Sequence, residues 1–69
     1  MLKARDLVRA LNLLGFREIR QSGSHAFFKH PDGRVTLVPK YGGGDIGRGL
    51  LRQILEQIKT SPEEFSKYL

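Results

Sequence analysis

The residues best suited to chemistry lie in the segment Gly23-Ser24-His25, where a histidine follows a flexible Gly-Ser step. Histidine is the side chain whose unperturbed pKa, roughly 6.5, suits proton transfer near neutral pH. Phe27 and Lys29 follow at strand spacing, which places an aromatic ring and a cation on the same side as His25. A titratable group on such a basic segment indicates chemistry on a polyanion such as nucleic acid.

Composition and charge support a nucleic-acid partner and exclude several other classes. The 69 residues include 12 Lys and Arg against 7 Asp and Glu, a net charge of +5 that favours phosphate-rich surfaces. The absence of cysteine excludes disulfide frameworks, thiol catalysis and cysteine-based zinc sites. Without an apolar run of roughly 18 residues or a signal-peptide pattern, we expect one cytoplasmic domain over residues 1–69 and no membrane association.

A helix over residues 3–14 is predicted ahead of the histidine segment. Its apolar positions recur at helical spacing, at Ala4, Leu7, Val8, Leu11 and Leu14. Gly15 follows and supplies a helix stop, because glycine accepts a left-handed backbone without penalty.

Three strands are predicted next, over residues 16–20, 25–30 and 34–38. Polar residues 21–24 form the first turn, and His30-Pro31-Asp32-Gly33 is a strong signal for the second. Pro39 is predicted to end the third strand because proline has no backbone N–H to donate a hydrogen bond to a neighbouring strand. Short turns between successive strands predict an antiparallel meander.

The remaining residues predict a glycine loop and two helices. Glycines 42–44 precede Asp45, which we expect to cap a helix with the apolar stripe Leu51, Ile54, Leu55 and Ile58. Ser61-Pro62-Glu63-Glu64 has the cap serine, early proline and third-position glutamate of a helix start. The predicted fold is α+β in the order α-β-β-β-α: a three-stranded antiparallel sheet, helices on one face and a short C-terminal helix. Which sheet face is buried stays open.

His30 is a candidate partner for His25, but strand geometry argues against it. Side chains five residues apart in a regular strand lie on opposite faces, so the pair cannot flank one phosphate or one metal ion. His30 is therefore predicted to flank the turn, and a general acid would be a lysine or water. We expect neither a metal nor a small-molecule cofactor, since the glycine loop also fits no nucleotide-binding fingerprint.

In the order and spacing of its motifs the chain resembles the HicA family of bacterial toxins. The shared features are the helix ending in Gly15-Phe16, Gly23-Ser24-His25, His30-Pro31-Asp32-Gly33, Val38-Pro39, the glycine loop before Asp45-Ile46, and residues 49–55. The family pattern leads us to expect a small hydroxyl residue at position 50, and Leu50 departs from that pattern.

The resemblance implies a double-stranded-RNA-binding-like fold and a metal-independent endoribonuclease that cleaves mRNA. It also implies neutralisation by a cognate HicB-type antitoxin, and it places the catalytic histidine on His25. For RNA binding we single out Ser24, Lys29, Lys40, Arg48 and Arg52. A helix start can hold phosphate through its free N–H groups, which supports phosphate contacts at Lys40, Arg48 and Arg52, near the predicted start of the second helix.

Two other functions stay open from the residues alone. One is a non-catalytic RNA-binding module of the same fold, in which His25 is a solvated strand residue and needs no role. The other is an adaptor that binds an acidic protein and has no affinity for RNA. Phe27 could stack a base on an open sheet face or fill the core, so it receives no role. Both RNA functions predict an affinity that falls steeply with salt.

Overall fold

A computed structural model describes residues 2–39 and 44–69 and has the predicted α+β architecture. Its elements, in chain order, are β1 Leu2–Lys3, α1 Ala4–Leu13, β2 Arg17–Ser22, β3 His25–Lys29, β4 Val35–Pro39, β5 Asp45–Ile46, α2 Arg48–Gln57 and α3 Pro62–Ser66. Strands β2, β3 and β4 form a three-stranded antiparallel sheet in that order. None of the described helices is long and apolar enough to cross a membrane.

Gly15 stops helix α1, as the sequence predicts, two residues after the last helical residue, Leu13. Gly15 has φ +104°, and its N–H donates to the carbonyl of Asn12 while the N–H of Phe16 donates to the carbonyl of Leu11. This pair of bonds is the Schellman arrangement, which satisfies carbonyls left free at a helix end. Phe16 and Leu11 are both fully buried, so the same turn fixes an aromatic ring in the core.

The buried face of the sheet packs against both long helices. Ala26, Phe28 and Val38 alternate with exposed or half-buried residues along β3 and β4, the period-two pattern of a half-covered sheet, which the buried Pro39 breaks at the end of β4. They share one apolar cluster with Leu7, Ala10 and Leu11 of α1, Ile54 and Leu55 of α2, and Phe65 of α3. The core therefore forms on one side of the sheet only.

A second, two-stranded pairing was not predicted from the sequence. Leu2 of β1 pairs with Ile46 of β5, and Lys3 pairs with Asp45. Lys3 Nζ lies 2.9 Å from Asp45 Oδ1, and this contact holds the pKa of the Asp45 carboxyl below its ordinary value. The prediction that Asp45 caps α2 is wrong, because Gly47 directly precedes the first helical residue and no side chain caps that end.

The C-terminal helix begins as predicted. Ser61 Oγ accepts a hydrogen bond of 3.1 Å from the N–H of Glu64, with Pro62 in the first turn. The preceding helix, α2, is followed by Lys59, whose φ of 54° is the only positive value at a non-glycine position among the described residues. The N–H of Lys59 donates to the carbonyl of Glu56, and the N–H of Thr60 donates to the carbonyl of Leu55. These two bonds form a second Schellman turn, which directs the chain into α3.

Candidate active site

The face of the sheet that carries His25 is the open one. Ala26 and Phe28 are 0% and 1% exposed and face the core, so their strand neighbours His25, Phe27 and Lys29 lie on the other side. His25 and Lys29 are exposed, whereas Phe27 is half-buried. The structure thus decides the question of the buried face that the sequence left open.

A tight hairpin turn presents His25 at the first position of β3. Ser22 pairs with His25 across the β2–β3 ladder, which leaves Gly23 and Ser24 as a two-residue turn. Gly23 has φ +60° whereas Ser24 does not have a positive φ, the sign pattern of a type II′ turn. On its other side His25 pairs with Pro39 of β4, so both strands fix its backbone.

The side chain of His25 lines a groove between the β4 edge of the sheet and α2. This His25 groove has a volume of about 280 Å³ and is lined by His25, Leu37, Pro39, Leu50, Gln53, Ile54 and Gln57. No described residue forms a hydrogen bond or ion pair with the imidazole, which is therefore available to a ligand. Leu50, the departure from the expected pattern, lies in the same groove as the histidine.

Two glutamines from α2 supply polar groups to this groove. Gln53 and Gln57 are four residues apart and so lie on the same side of the helix. Thr36 is 3% exposed, and its hydroxyl donates to Gln57 Oε1 over 2.7 Å. With its oxygen engaged, the Gln57 amide retains its N–H groups as donors for a bound anion. Neither glutamine was predicted from the sequence, although the spacing of both with Ile54 and Leu50 places them on the sheet side of α2.

A larger groove continues from the first one along β4. This Phe27 groove, of about 580 Å³, is lined by Phe27, Asp32, Gly33, Arg34, Val35, Thr36, Leu37, Gln57 and Lys59. It shares Leu37 and Gln57 with the His25 groove, so the two form one continuous surface. The Arg20 guanidinium lies over the Phe27 ring, 4.4 Å from its centroid.

The RNA-binding residues predicted from the sequence are divided between surfaces. Ser24 is exposed in the turn beside His25, and Lys29 lies on the open face, paired with Val35 of the Phe27 groove. Arg48 and Arg52 instead line a third groove on another side of α2, towards α3, with Leu51, Leu55, Glu56, Lys59, Thr60 and Pro62. Lys40 and glycines 42 and 43 of the predicted phosphate loop lie outside the described residues.

His30 lies away from the His25 groove and makes contacts within the fold. Its ring meets Phe16 edge to face, with centroids 5.1 Å apart, and its side chain is 22% exposed. His30 Nδ1 accepts a hydrogen bond of 3.1 Å from the Asp32 N–H. Asp32 Oδ1 accepts from the Arg34 N–H, which with the Arg34 side chain lowers the pKa of the Asp32 carboxyl. These contacts agree with the prediction that His30 flanks the turn.

The described residues contain no group of three or more His, Asp or Glu side chains that could hold a metal ion. Comparison with curated proteins gives no match. A family model described as the HicA toxin of bacterial toxin–antitoxin systems matches residues 4–59, which span α1, the whole three-stranded sheet and α2. The chain therefore belongs to the HicA toxin family.

Proposed function

We propose that this toxin is a metal-independent endoribonuclease that cleaves mRNA, with His25 as the general base. RNA carries its own nucleophile, the 2′-hydroxyl beside each phosphate. The His25 imidazole takes the proton of that hydroxyl, the 2′-oxygen attacks the adjacent phosphorus, and the bond to the 5′-oxygen breaks. The leaving oxygen receives a proton from water or a lysine. The products are a 2′,3′-cyclic phosphate and a 5′-hydroxyl end.

The observation that carries this proposal is the position of His25 in its groove. The imidazole has no bonding partner among the described residues, and a groove of about 280 Å³ adjoins it. A general base must reach its proton directly, so an exposed and unoccupied imidazole on a basic chain meets the first requirement. The amide groups of Gln53 and Gln57 lie in the same groove and are suited to hold the phosphate in place.

Membership of the family also implies a cognate antitoxin as protein partner. We propose that this partner is of the HicB type and that it blocks access of mRNA to the open face of the sheet. The predicted RNA contacts of Ser24, Lys29, Lys40, Arg48 and Arg52 are part of the same proposal, and Ser24 directly precedes His25 in the turn.

Cleavage of a defined single-stranded RNA in EDTA tests the catalytic role. We expect the wild type to cleave and His25→Ala to cleave about 10²–10⁴-fold more slowly, because a well-placed base contributes that much. His30→Ala is the matched control, since it removes a histidine outside the groove and should retain wild-type cleavage. Cleavage by a folded His25→Ala protein at the wild-type rate would contradict the assignment. Binding without cleavage by the wild type and both variants would favour the non-catalytic RNA-binding module.

A further inference from the structure

We propose that the Phe27 groove is a nucleotide subsite, in which a base of single-stranded RNA next to the cleaved phosphate packs against Phe27 and Leu37. The inference rests on the proposed ribonuclease function for its position relative to the cleaved bond. It adds a binding site for which the sequence assigned no residue.

Continuity with the His25 groove is the first argument. Leu37 and Gln57 line both grooves, so a strand bound at His25 can enter the second groove without leaving the surface. Phe27 is two residues from His25 on the same face of β3, a separation of about 7 Å along the strand. That separation is of the order of one nucleotide step in an extended single strand.

The chemistry of the groove is the second argument. Phe27, Leu37 and the 47%-exposed Val35 give it an apolar floor, which suits a base more than a phosphate. The Arg20 guanidinium does not line the groove, but it lies over the Phe27 ring and holds that ring in place on the open face, where a base can pack against it. The volume of about 580 Å³ exceeds that of the His25 groove and leaves room for the base.

A cation in the wall of the groove is the third argument. Lys59 lines the groove, as Gln57 does, and no described residue forms an ion pair with Lys59. Arg34, by contrast, is engaged by Asp32 and by the carbonyl of Ile58. An exposed lysine without a counter-charge is suited to the phosphate that follows the bound base.

Binding of 2′-O-methyl RNA, which lacks the nucleophile and cannot be cleaved, tests the subsite. A series of short labelled strands, each with one abasic position, is titrated against the wild type and against Phe27→Ala. We expect one abasic position to weaken wild-type binding roughly 5- to 100-fold. Phe27→Ala should weaken binding of the intact strand by a similar factor and should no longer respond to that abasic position. Phe27→Leu, which keeps an apolar side chain, covers the case in which the alanine variant does not fold.

A salt titration with the same RNA tests Lys59. Lys59→Gln should lower the slope of log affinity against log salt by about 1, the value expected for one lost phosphate contact. Lys67→Gln is the matched control, because Lys67 is also exposed, pairs with Glu64 over 3.3 Å and lines none of the three grooves. It should leave the slope unchanged.

The outcomes separate this inference from the ribonuclease proposal. Equal affinity for all abasic strands, or a response to the abasic position that persists in both Phe27 variants, overturns the subsite even if the wild type cleaves RNA. A response that depends on Phe27 supports the subsite, and it does so even if cleavage in EDTA fails and the ribonuclease proposal falls.

Discussion

Gly15→Ala is expected to destabilise the fold strongly, because it affects both the end of α1 and the packing of His30. The backbone at Gly15 has φ +104°, where an L-residue is strained by about 1–3 kcal/mol. A Cβ at this position would lie 2.9 Å from His30 Nε2 and 3.2 Å from His30 Cδ2, so the imidazole has to move.

Moving the imidazole disrupts two contacts. The edge-to-face contact with Phe16 is worth about 0.5–1.5 kcal/mol, and the hydrogen bond from the Asp32 N–H is worth a similar amount. Alanine recovers about 0.4–1 kcal/mol by restricting the unfolded chain. The net loss is about 1–5 kcal/mol, a large part of the stability of a chain this short.

Urea unfolding followed by far-UV circular dichroism measures this loss, since the chain has no tryptophan. The same substitution in a His30→Ala background should cost about 1–2 kcal/mol less, because the ring that blocks the Cβ is gone. A Gly15→Ala protein within about 0.5 kcal/mol of the wild type would refute the argument. An equal loss in both backgrounds would refute the role of His30.

Three further predictions concern exposed charged residues. Lys59→Gly should raise the free energy of unfolding by about 0.5–1 kcal/mol in urea, because glycine relieves the φ of 54°; an unchanged or lower value would contradict this. Lys3 holds the pKa of Asp45 below its ordinary 3.8, so their contact stabilises the fold above about pH 4 and is lost as the pH falls through the lowered pKa. The urea midpoint of unfolding should therefore fall less with decreasing pH in Asp45→Asn than in the wild type. An equal fall in both proteins would show that the Lys3–Asp45 contact does not cause it. Arg52→Gln should lower the salt slope of RNA binding by about 1 if Arg52 contacts phosphate as predicted, and an unchanged slope would remove it from the RNA surface.

Signals confined to a few adjacent residues predicted the local structure correctly. Gly15 ends α1 because only glycine adopts its backbone angle without strain, and Ser61 caps α3 through a hydroxyl three residues from its donor. The turn before His25 was predicted too long, over residues 21–24: Gln21 and Ser22 pair within β2, and only Gly23 and Ser24 form the turn that places His25 at a strand start.

The prediction for Asp45 failed because a distant residue competes for its carboxylate. Local preference makes aspartate a good helix cap, but Lys3 engages it from more than forty positions away in the chain, within the β1–β5 pairing. No local pattern around Asp45 specifies that pairing, since it depends on how α1 and α2 bring their starting residues together.

The sequence by itself determined the order of the three sheet strands and the three helices, the place of a histidine directly after a tight turn, and the family. Each depends on residue types at short, fixed spacing. Only the tertiary structure decided which sheet face is open and which side chains surround His25. Those features depend on the packing of α2 along β4, which brings Gln53 and Gln57 to the histidine and directs Arg48 and Arg52 elsewhere. Burial of apolar surface drives that packing, and it acts between residues far apart in the chain.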